Sequence, residues 1–299
     1  MMPSAVRHLQ TTAGPRTALQ TASELKPPVM PERLAPLYFG ALGRRLFGCF
    51  HPPAGSGGPA SGMGLVLCAA QGHEYIQFHR PFRQLAIQLS EAGCAVLRFD
   101  FSGCGDSEGN QEGWSLEGWR DDVAVAIEEL KQRVRTTRVG LVGLRLGATL
   151  AMQVAETRDD IDAVVVWDPV VDGSAYLSEM RDQYKRMLRY AHVLPANDDG
   201  GGDEEVLGFP LPRSLAAELD RVDLLGPQRP PAERVLVIES NEAFAQDALR
   251  EHLSGLGTQV DHRRFSNPNL WAWTEDFGRV HVPRQVLETI GTWVAETPA

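Results

Sequence analysis

Gly143-Leu144-Arg145-Leu146-Gly147 joins an apolar segment, residues 138–142, to an Ala- and Leu-rich segment, residues 146–155. The first segment is typical of a short buried strand and the second of a helix. The two glycines have the spacing of a nucleophile elbow, G-x-S-x-G, in which a sharp strand-to-helix turn presents a reactive serine. The middle residue here is Arg145. We expect a strained turn at Arg145; an ordinary strand-to-helix junction with a surface arginine is the simpler alternative.

The arginine limits the chemistry that this turn can perform. A guanidinium stays protonated at physiological pH, offers five hydrogen-bond donors and has no lone pair for attack. Arg145 is therefore predicted to anchor a carboxylate or a developing enolate, while the backbone N–H of Leu146 remains available to polarise a carbonyl.

Apolar segments alternate with amphipathic ones along most of the chain, which predicts a mostly parallel sheet covered on both faces. The predicted strands are residues 38–51, 64–69, 95–101, 138–142, 163–167, 234–238 and 260–265, and the predicted helices are residues 81–92, 115–134, 146–155, 176–190, 213–219 and 286–294.

Three ordered landmarks carry a resemblance to a known family. They are Arg98-Phe99-Asp100-Phe101-Ser102-Gly103-Cys104-Gly105-Asp106-Ser107-Glu108-Gly109, the elbow at 143–147, and His281 ahead of the apolar residues of the last helix. Over roughly residues 38 to 295 the chain resembles the α/β-hydrolase superfamily. It is similar to the serine aminopeptidase-like branch and to hydrolase-like proteins associated with exosortase systems. The resemblance implies an α/β-hydrolase fold: a mostly parallel sheet flanked by helices, with an inserted helical cap.

The domain organisation follows from composition and from this pattern. Residues 1–34 are expected to be a mobile tail, residues 35–169 and 233–299 the core, and residues 170–232 the cap insertion. Within the insertion, the acidic, glycine-rich residues 197–205 are predicted to be flexible.

His281 is the predicted general base, because the histidine of such sites lies between the last strand and the last helix. Glu242 is the preferred carboxylate partner, and Asp168 and Glu239 are alternatives at the ends of other strands. Each could instead be a surface histidine or a solvated carboxylate.

The loop at residues 70–75 is expected to supply substrate contacts from Gln71, His73 and Glu74, together with Leu146. Glu74 is also predicted to lie near Arg145, since a buried guanidinium requires a partner. His73 and His79 lack a third ligand at suitable spacing, so no metal and no cofactor is predicted.

Cys104 is an alternative nucleophile on a turn-forming loop. The cysteines at 49, 68, 94 and 104 are expected to be reduced thiols in a cytoplasmic protein. The formal net charge of −10 argues against nucleic acid and anionic membranes as partners. A small molecule is the predicted partner, and formation of a homo-oligomer is an alternative left open.

Three functional classes fit these observations. The preferred one is an enzyme of lyase or hydrolase type that uses non-covalent acid-base chemistry, namely elimination, cyclisation or hydrolysis by water, on a small acyl or carboxyl-bearing metabolite of bacterial specialised or exopolysaccharide metabolism. The second is an esterase or thioesterase with an unusual nucleophile. The third is a catalytically inactive binding module.

Overall fold

A computed structural model describes residues 34–54, 63–192, 204–241, 246–266, 270–273 and 282–297. The predicted N-terminal tail lies outside the described residues except for Leu34, and so do His281 and Glu242.

Eight strands form one sheet, and two short strands form a separate hairpin. The sheet contains β1 (Ala35–Phe39), β2 (Leu46–His51), β3 (Gly64–Cys68), β4 (Ala95–Phe99), β5 (Val139–Leu144), β6 (Ile161–Trp167), β9 (Arg234–Glu239) and β10 (Gln259–Arg264), and the hairpin contains β7 (Glu204–Val206) and β8 (Phe209–Leu211). The order in the sheet is β1-β2-β4-β3-β5-β6-β9-β10. Within this sheet, strand β2 pairs antiparallel with both of its neighbours, and all other pairs are parallel.

Seven helices connect or follow these strands in the described chain: α1 (Gly72–Glu91), α2 (Leu116–Val134), α3 (Leu146–Ala155), α4 (Gly173–Tyr190), α5 (Arg213–Leu219), α6 (Asp247–Gly255) and α7 (Arg284–Ala295). Local sequence signals explain several ends. The Ser115 side chain accepts a hydrogen bond from the Gly118 N–H at the start of α2. Gly93, just beyond α1, has a φ of 91°, which favours glycine at the end of a helix.

The helices cover both faces of the sheet. The buried side of α2, α3 and α6 packs on one face, through residues such as Trp119, Leu150 and Leu249. The buried side of α1 and α7 packs on the other, through residues such as Leu85 and Ile290. The predicted two-sided, mostly parallel sheet is thus confirmed. No described helix has the length and apolar character needed to cross a membrane.

The structure corrects the predicted start of the first helix. Helix α1 begins at Gly72, so most of the predicted 70–75 loop is its first turn. Pro81 suggested a helix start because proline is favoured in a first turn. It lies instead inside α1, where its ring is buried.

Other predicted elements differ more modestly. The hairpin strand predicted at residues 38–51 is the antiparallel pair β1 and β2, and β1 begins earlier, at Ala35. Glu204 and Glu205, which were expected in a flexible stretch, belong to β7. Helix α6 was not predicted, because its buried apolar positions are few, among them Leu249 and Leu253. All four cysteines are free thiols, as expected, and the cytoplasmic setting stays a prediction.

Candidate active site

Arg145 occupies a strained turn between β5 and α3. Its φ of 49° and ψ of −121° are rarely adopted by a residue with a side chain. The flanking glycines permit the turn: a Cβ on Gly143 would lie 2.3 Å from Ala148 Cα, and a Cβ on Gly147 would lie 2.2 Å from the Ala69 carbonyl oxygen. The strained turn predicted from the glycine spacing is therefore present.

The Arg145 side chain is buried and held by two carboxylates from distant parts of the chain. Its Nε donates to Glu74 Oε1 at 2.6 Å, and one terminal nitrogen donates to Glu179 Oε2 at 2.8 Å. Only 2% of the side chain is exposed. Glu74 lies in the first turn of α1, whereas Glu179 lies on α4. The predicted contact with Glu74 is confirmed. Arg145, at the start of α3, is thus bonded to both α1 and α4.

Aromatic rings complete the enclosure of the guanidinium. Its carbon lies 5.1 Å from the ring centre of Tyr176 and 5.6 Å from that of Trp271. The Tyr176 hydroxyl also donates to Glu74 Oε2 at 3.0 Å. These contacts satisfy the charge of Arg145 within the protein, so the guanidinium is not open to a substrate carboxylate. The predicted role of Arg145 as a substrate anchor therefore does not fit its contacts.

Burial and the neighbouring charges shift the pKa values of Glu74 and Arg145 in opposite directions. Burial raises the pKa of Glu74, opposed by the neighbouring Arg145 charge and by the hydrogen bonds from Arg145 and Tyr176. Burial alone would lower the pKa of Arg145, but Glu74 and Glu179 outweigh it and leave that pKa raised. Arg145 therefore stays charged, while Glu74 is the group whose protonation can change.

Asp168 belongs to a separate buried network next to this site. It has a φ of 43°, and its carboxylate accepts hydrogen bonds from the Ser240 N–H at 2.9 Å, from the Ser240 hydroxyl, and from Trp271 Nε1 at 2.5 Å. Its carbonyl oxygen lies 3.4 Å from a terminal nitrogen of Arg145. Asp168 thus fixes Trp271 over the guanidinium, and both of its carboxylate oxygens accept hydrogen bonds in this network.

A pocket opens beside the Glu74 carboxyl. Its empty space is about 620 Å³ when the open solvent at its mouth is included. The side chains that line it are mostly apolar: Trp114, Trp119, Leu146, Met180, Val206, Leu207, Phe209, Leu211, Leu215, Leu219 and Trp271. The polar lining comes from Gln71, His73, Glu74, Tyr176 and Gln183. The structure therefore brings the four predicted substrate-binding residues, Gln71, His73, Glu74 and Leu146, to one cavity.

Two helices begin at this cavity. Gly72 is the first residue of α1 and Leu146 the first of α3, and neither helix receives a side-chain hydrogen bond from its N-cap residue. The first N–H groups of a helix have no partner within the helix and carry partial positive charge. Both helix starts can therefore polarise a carbonyl oxygen placed between them.

The remaining predicted candidates are less suited to catalysis. Cys104 donates a hydrogen bond to Gln71 Oε1 at 3.3 Å, and burial together with Asp100 raises its pKa to about 12. A thiol with so high a pKa is a poor source of thiolate. Glu239 pairs with His262 at 3.1 Å and with Arg264 at 3.1 Å. His73 is buried, which lowers its pKa and leaves it neutral at physiological pH.

His281 and Glu242 cannot be placed relative to these groups, because both lie outside the described residues. Within the described ranges, no cluster of three or more histidine, cysteine or acidic side chains could hold a metal ion.

The sequence reasoning missed Tyr176, Glu179 and Trp271. Tyr176 and Glu179 are three positions apart on α4, which places both on the same face of that helix. A buried arginine predicted to need counter-charges could have directed attention to acidic residues on the inserted helices. No sequence signal identifies Trp271, because its segment contains no regular element among the described residues.

The strand order and the strained turn after β5 define an α/β-hydrolase fold. Solved structures with this fold agree over most of the chain. Est1E from Butyrivibrio proteoclasticus, solved with ferulic acid bound, superposes with a TM-score of 0.61 at 17% identity, covering 87% of this chain and 98% of that one. Alpha/beta hydrolase domain-containing protein 10 from mouse gives a TM-score of 0.51 at 17% identity with the same two coverages.

Sequence comparisons identify more specific relatives over part of the chain. The family model described as serine aminopeptidase, S33, matches residues 66–197. Palmitoyl-protein thioesterase ABHD10, mitochondrial, from Homo sapiens is 35% identical over 88 residues, which is 29% of this chain and 28% of that protein. The Bos taurus protein is 35% identical over 102 residues, 33% of this chain and 32% of its own length. The matches thus span about a third of these relatives. The chain has the α/β-hydrolase fold, and over residues 66–197 it resembles the serine aminopeptidase S33 family.

Proposed function

We propose that this protein is an α/β-hydrolase-fold enzyme that acts on a small acyl-bearing metabolite by acid-base chemistry, without a covalent acyl-enzyme intermediate. One observation carries the proposal. The elbow residue is an arginine held in an ion pair, and its partner Glu74 presents a carboxyl with a raised pKa to an apolar pocket. A buried carboxyl whose pKa is raised holds a proton more readily than an exposed one, which suits it to acid-base chemistry.

Arg145 is then a positioning residue. Its Nε donates to Glu74 Oε1 at 2.6 Å, and its charge opposes the rise in the pKa of Glu74 that burial causes. Glu179 shares the same guanidinium, so the cluster contains two carboxyls and one cation. A proton on Glu74 would balance these charges, and the Arg145 cation would favour its release to a substrate, because it stabilises the carboxylate that remains.

The apolar lining favours an acyl chain over a second carboxylate as the bound part of the substrate. The substrate carbonyl would lie between the starts of α1 and α3, where backbone N–H groups stabilise a developing oxyanion. In that position, Glu74 could activate a water for hydrolysis or remove a proton for elimination or ring closure. His281, with Glu242 as its carboxylate partner, is kept as a second proposed base.

We also propose that residues 170–232 act as a cap over this pocket. Tyr176 and Glu179 of α4 contact Glu74 and Arg145, and the hairpin β7–β8 contributes Val206 and Phe209 to the lining. A cap of this type would exclude water from the acyl chain and from the Glu74 carboxyl.

The second candidate function is a binding module without turnover. The complete neutralisation of Arg145 by internal partners favours it, because an ion-paired arginine at the elbow can also serve only to stabilise the fold. Esterase chemistry with Cys104 as nucleophile has less support, given the raised pKa of its thiol.

Labelling and turnover together test the proposal. A fluorophosphonate probe should not label the protein, since such capture requires an activated hydroxyl. Turnover should be sought with S-acyl-N-acetylcysteamine thioesters and p-nitrophenyl esters of increasing chain length. Glu74→Gln should lower kcat by about 100- to 10,000-fold. Glu156→Gln is the matched control, because burial raises the pKa of Glu156 to about 7 although Glu156 does not line the pocket.

Three results would decide against it. Stoichiometric fluorophosphonate labelling of the native protein would reveal a covalent nucleophile. Strong esterase activity in Arg145→Ser would mean that the arginine only blocks an otherwise complete triad. Saturable binding of the acyl thioesters with no turnover of any of them would establish the binding module instead.

Full activity in His281→Ala with unchanged stability would remove His281 from the mechanism while leaving Glu74 as the base.

A further inference from the structure

Gln71, the residue before α1, places a side-chain amide on the wall of the pocket beside Glu74. About 70 Å³ of this pocket is open to water-sized molecules, several times the room that one water molecule needs. The amide oxygen Oε1 of Gln71 accepts a hydrogen bond from the Cys104 thiol at 3.3 Å. No described residue accepts a hydrogen bond from the amide nitrogen Nε2, and this atom is not buried. One end of the amide is thus held by the protein, while the other is open to a ligand.

The Cys104 thiol is fixed in position by the loop that follows β4. The Cys104 N–H donates to the Phe101 carbonyl oxygen at 2.9 Å, and the Cys104 carbonyl oxygen accepts from the Ser107 N–H at 3.0 Å. Ser107 is itself held, because its hydroxyl donates to the Asp100 carbonyl oxygen at 2.5 Å. A thiol on a backbone that is fixed on both sides can determine the rotation of the Gln71 amide.

The thiol remains a hydrogen-bond donor throughout the physiological pH range. Burial, followed by the charges of Asp100 and Asp122, raises the pKa of Cys104 to about 12. The property that makes Cys104 a poor nucleophile therefore keeps the proton on its sulfur. An amide whose oxygen faces this proton directs its NH₂ group along the other branch, away from Cys104. Gln71 lines the pocket and Cys104 does not, so that branch is the one available to a bound ligand.

We propose that Cys104 is a positioning residue, whose thiol orients the Gln71 amide so that Nε2 donates a hydrogen bond to the carbonyl oxygen of a bound acyl ligand. Gln71 directly precedes the start of α1, and Leu146, at the start of α3, lines the same pocket. The amide would thus add a side-chain donor to the two helix starts. This inference rests on the proposed function for the carbonyl-bearing ligand, but binding alone tests it, without turnover.

Two small ligands that differ by one carbonyl group provide the test. The first is the ketone analogue of butanoyl-N-acetylcysteamine, with a methylene between carbonyl and sulfur. The second is the pentyl thioether of N-acetylcysteamine, which has a methylene in place of the carbonyl, and neither ligand contains a thioester. Calorimetry measures their binding to the full chain. The ketone should bind at least about threefold more tightly, as expected for one hydrogen bond, and should shift the side-chain amide signal of Gln71 in NMR spectra.

Substitutions of Gln71 test its contact with the ligand. Gln71→Leu removes the donor, and Gln71→Glu replaces the donor nitrogen with an acceptor oxygen at nearly the same size. Each should lower the ratio of ketone affinity to thioether affinity by at least about threefold. Gln84→Leu changes an exposed glutamine of α1 outside the pocket lining and should leave the ratio unchanged.

Substitutions of Cys104 test the positioning role. Cys104→Ala frees the Gln71 amide to rotate, so the affinity ratio should fall by at least about twofold. Cys104→Ser should keep the native ratio, because a hydroxyl donates to Gln71 Oε1 as the thiol does. A merely structural role of Cys104 would instead weaken the binding of both ligands equally.

Several outcomes would overturn the inference. They are failure of the native chain to bind either ligand, equal binding of the two, or a ratio that survives both Gln71→Leu and Gln71→Glu. A native ratio in Cys104→Ala, or a loss in Cys104→Ser as large as that in Cys104→Ala, would remove the positioning role. Absence of turnover of acyl thioesters, with a ketone preference that depends on Gln71 and Cys104, would reject the proposed enzyme and support this inference.

Discussion

At the scale of single residues, Arg145 determines how this site differs from a serine hydrolase site. Its guanidinium is nearly inaccessible and is paired with Glu74 and Glu179. Buried ion pairs contribute little net stability, but the loss of one partner leaves an uncompensated charge. The effect of each of Arg145 and Glu74 on the stability of the protein should therefore depend on the presence of the other.

Arg145→Met tests this dependence. It leaves the buried Glu74 without its cation, and we expect the free energy of unfolding at pH 7 to fall by about 3–5 kcal/mol. Glu74→Gln in the same chain should recover much of the loss, because the buried charge is then gone. Urea unfolding measures both. Arg133→Met is the control: its partner Glu129 lies one turn away on the surface of α2, and such pairs contribute about 0–1 kcal/mol.

The pH dependence gives an independent check. A carboxyl with a raised folded-state pKa contributes stability that is fully present below its unfolded pKa and is lost as pH rises through the folded value. The ordinary pKa of Glu74 is 4.5, and burial raises it in the folded state. Without Arg145 it should rise further. As pH rises from 4.5, the free energy of unfolding should therefore fall more in Arg145→Met than in the native chain. Parallel pH profiles of the two proteins would contradict the pairing of Glu74 with Arg145.

At the scale of elements, two close approaches position the site: α3 against the end of β3, and α4 against Arg145. Gly147 allows the first, because any side chain there would meet the backbone oxygens of Cys68 and Ala69. Glu179 maintains the second through its contact with Arg145.

Gly147→Ala should destabilise the protein by about 1–3 kcal/mol or more, since the obstructing atoms belong to backbone and cannot rotate away. Gly291→Ala is its control within α7, where an added Cβ meets nothing within 4 Å. That change should stabilise by about 0.5–1 kcal/mol, because alanine is the better helix former. Thermal melts compare the two. Similar melting temperatures for both variants would mean that α3 can shift away from β3.

Glu179→Gln should loosen α4 without unfolding the sheet. A hydrogen bond to a charged group contributes about 1.5–3 kcal/mol, so amides of α4 should exchange with solvent at least about tenfold faster. Hydrogen exchange of the whole chain locates the effect. Asp182→Asn, which breaks an exposed pair with Lys185 on the same helix, should leave the exchange of α4 nearly unchanged. Equal effects of both changes would show that Glu179 does not hold α4 in place.

At the scale of the whole molecule, the sequence predicted the sheet better than the site. Strands such as β5 and β9 are continuous apolar runs with glycine or polar boundaries, so their burial follows from local pattern. Contacts between Arg145 and Glu179, or between Trp271 and Asp168, join residues 34 and 103 positions apart. Such contacts depend on how the elements pack, which no local pattern specifies.

The elbow is the exception, because its glycine spacing encodes both a local turn and a place in the fold. It predicted the strained conformation of Arg145 and, through the requirement for a counter-charge, the contact with Glu74. It did not predict that α4 would supply a second carboxylate, and this second carboxylate is what closes Arg145 to substrates.

The last prediction concerns the pocket that the sheet, the inserted helices and the hairpin form together. Each methylene moved from water into an apolar site contributes up to about 0.8 kcal/mol. In Glu74→Gln, where the expected loss of turnover allows binding to be measured, affinity for butanoyl, hexanoyl and octanoyl thioesters of N-acetylcysteamine should therefore rise with chain length.

Met180→Trp, added to that background, should flatten the rise, because Met180 is half-buried on α4 and its side chain lines the pocket. Ile76→Trp adds the same ring at an exposed position of α1 outside the pocket lining and should leave the series unchanged. Calorimetric titration gives the affinities, and thermal melts confirm that both variants fold. If affinity does not depend on chain length before Met180 is changed, the pocket is not an acyl site, because its apolar lining would then exclude the chain rather than bury it.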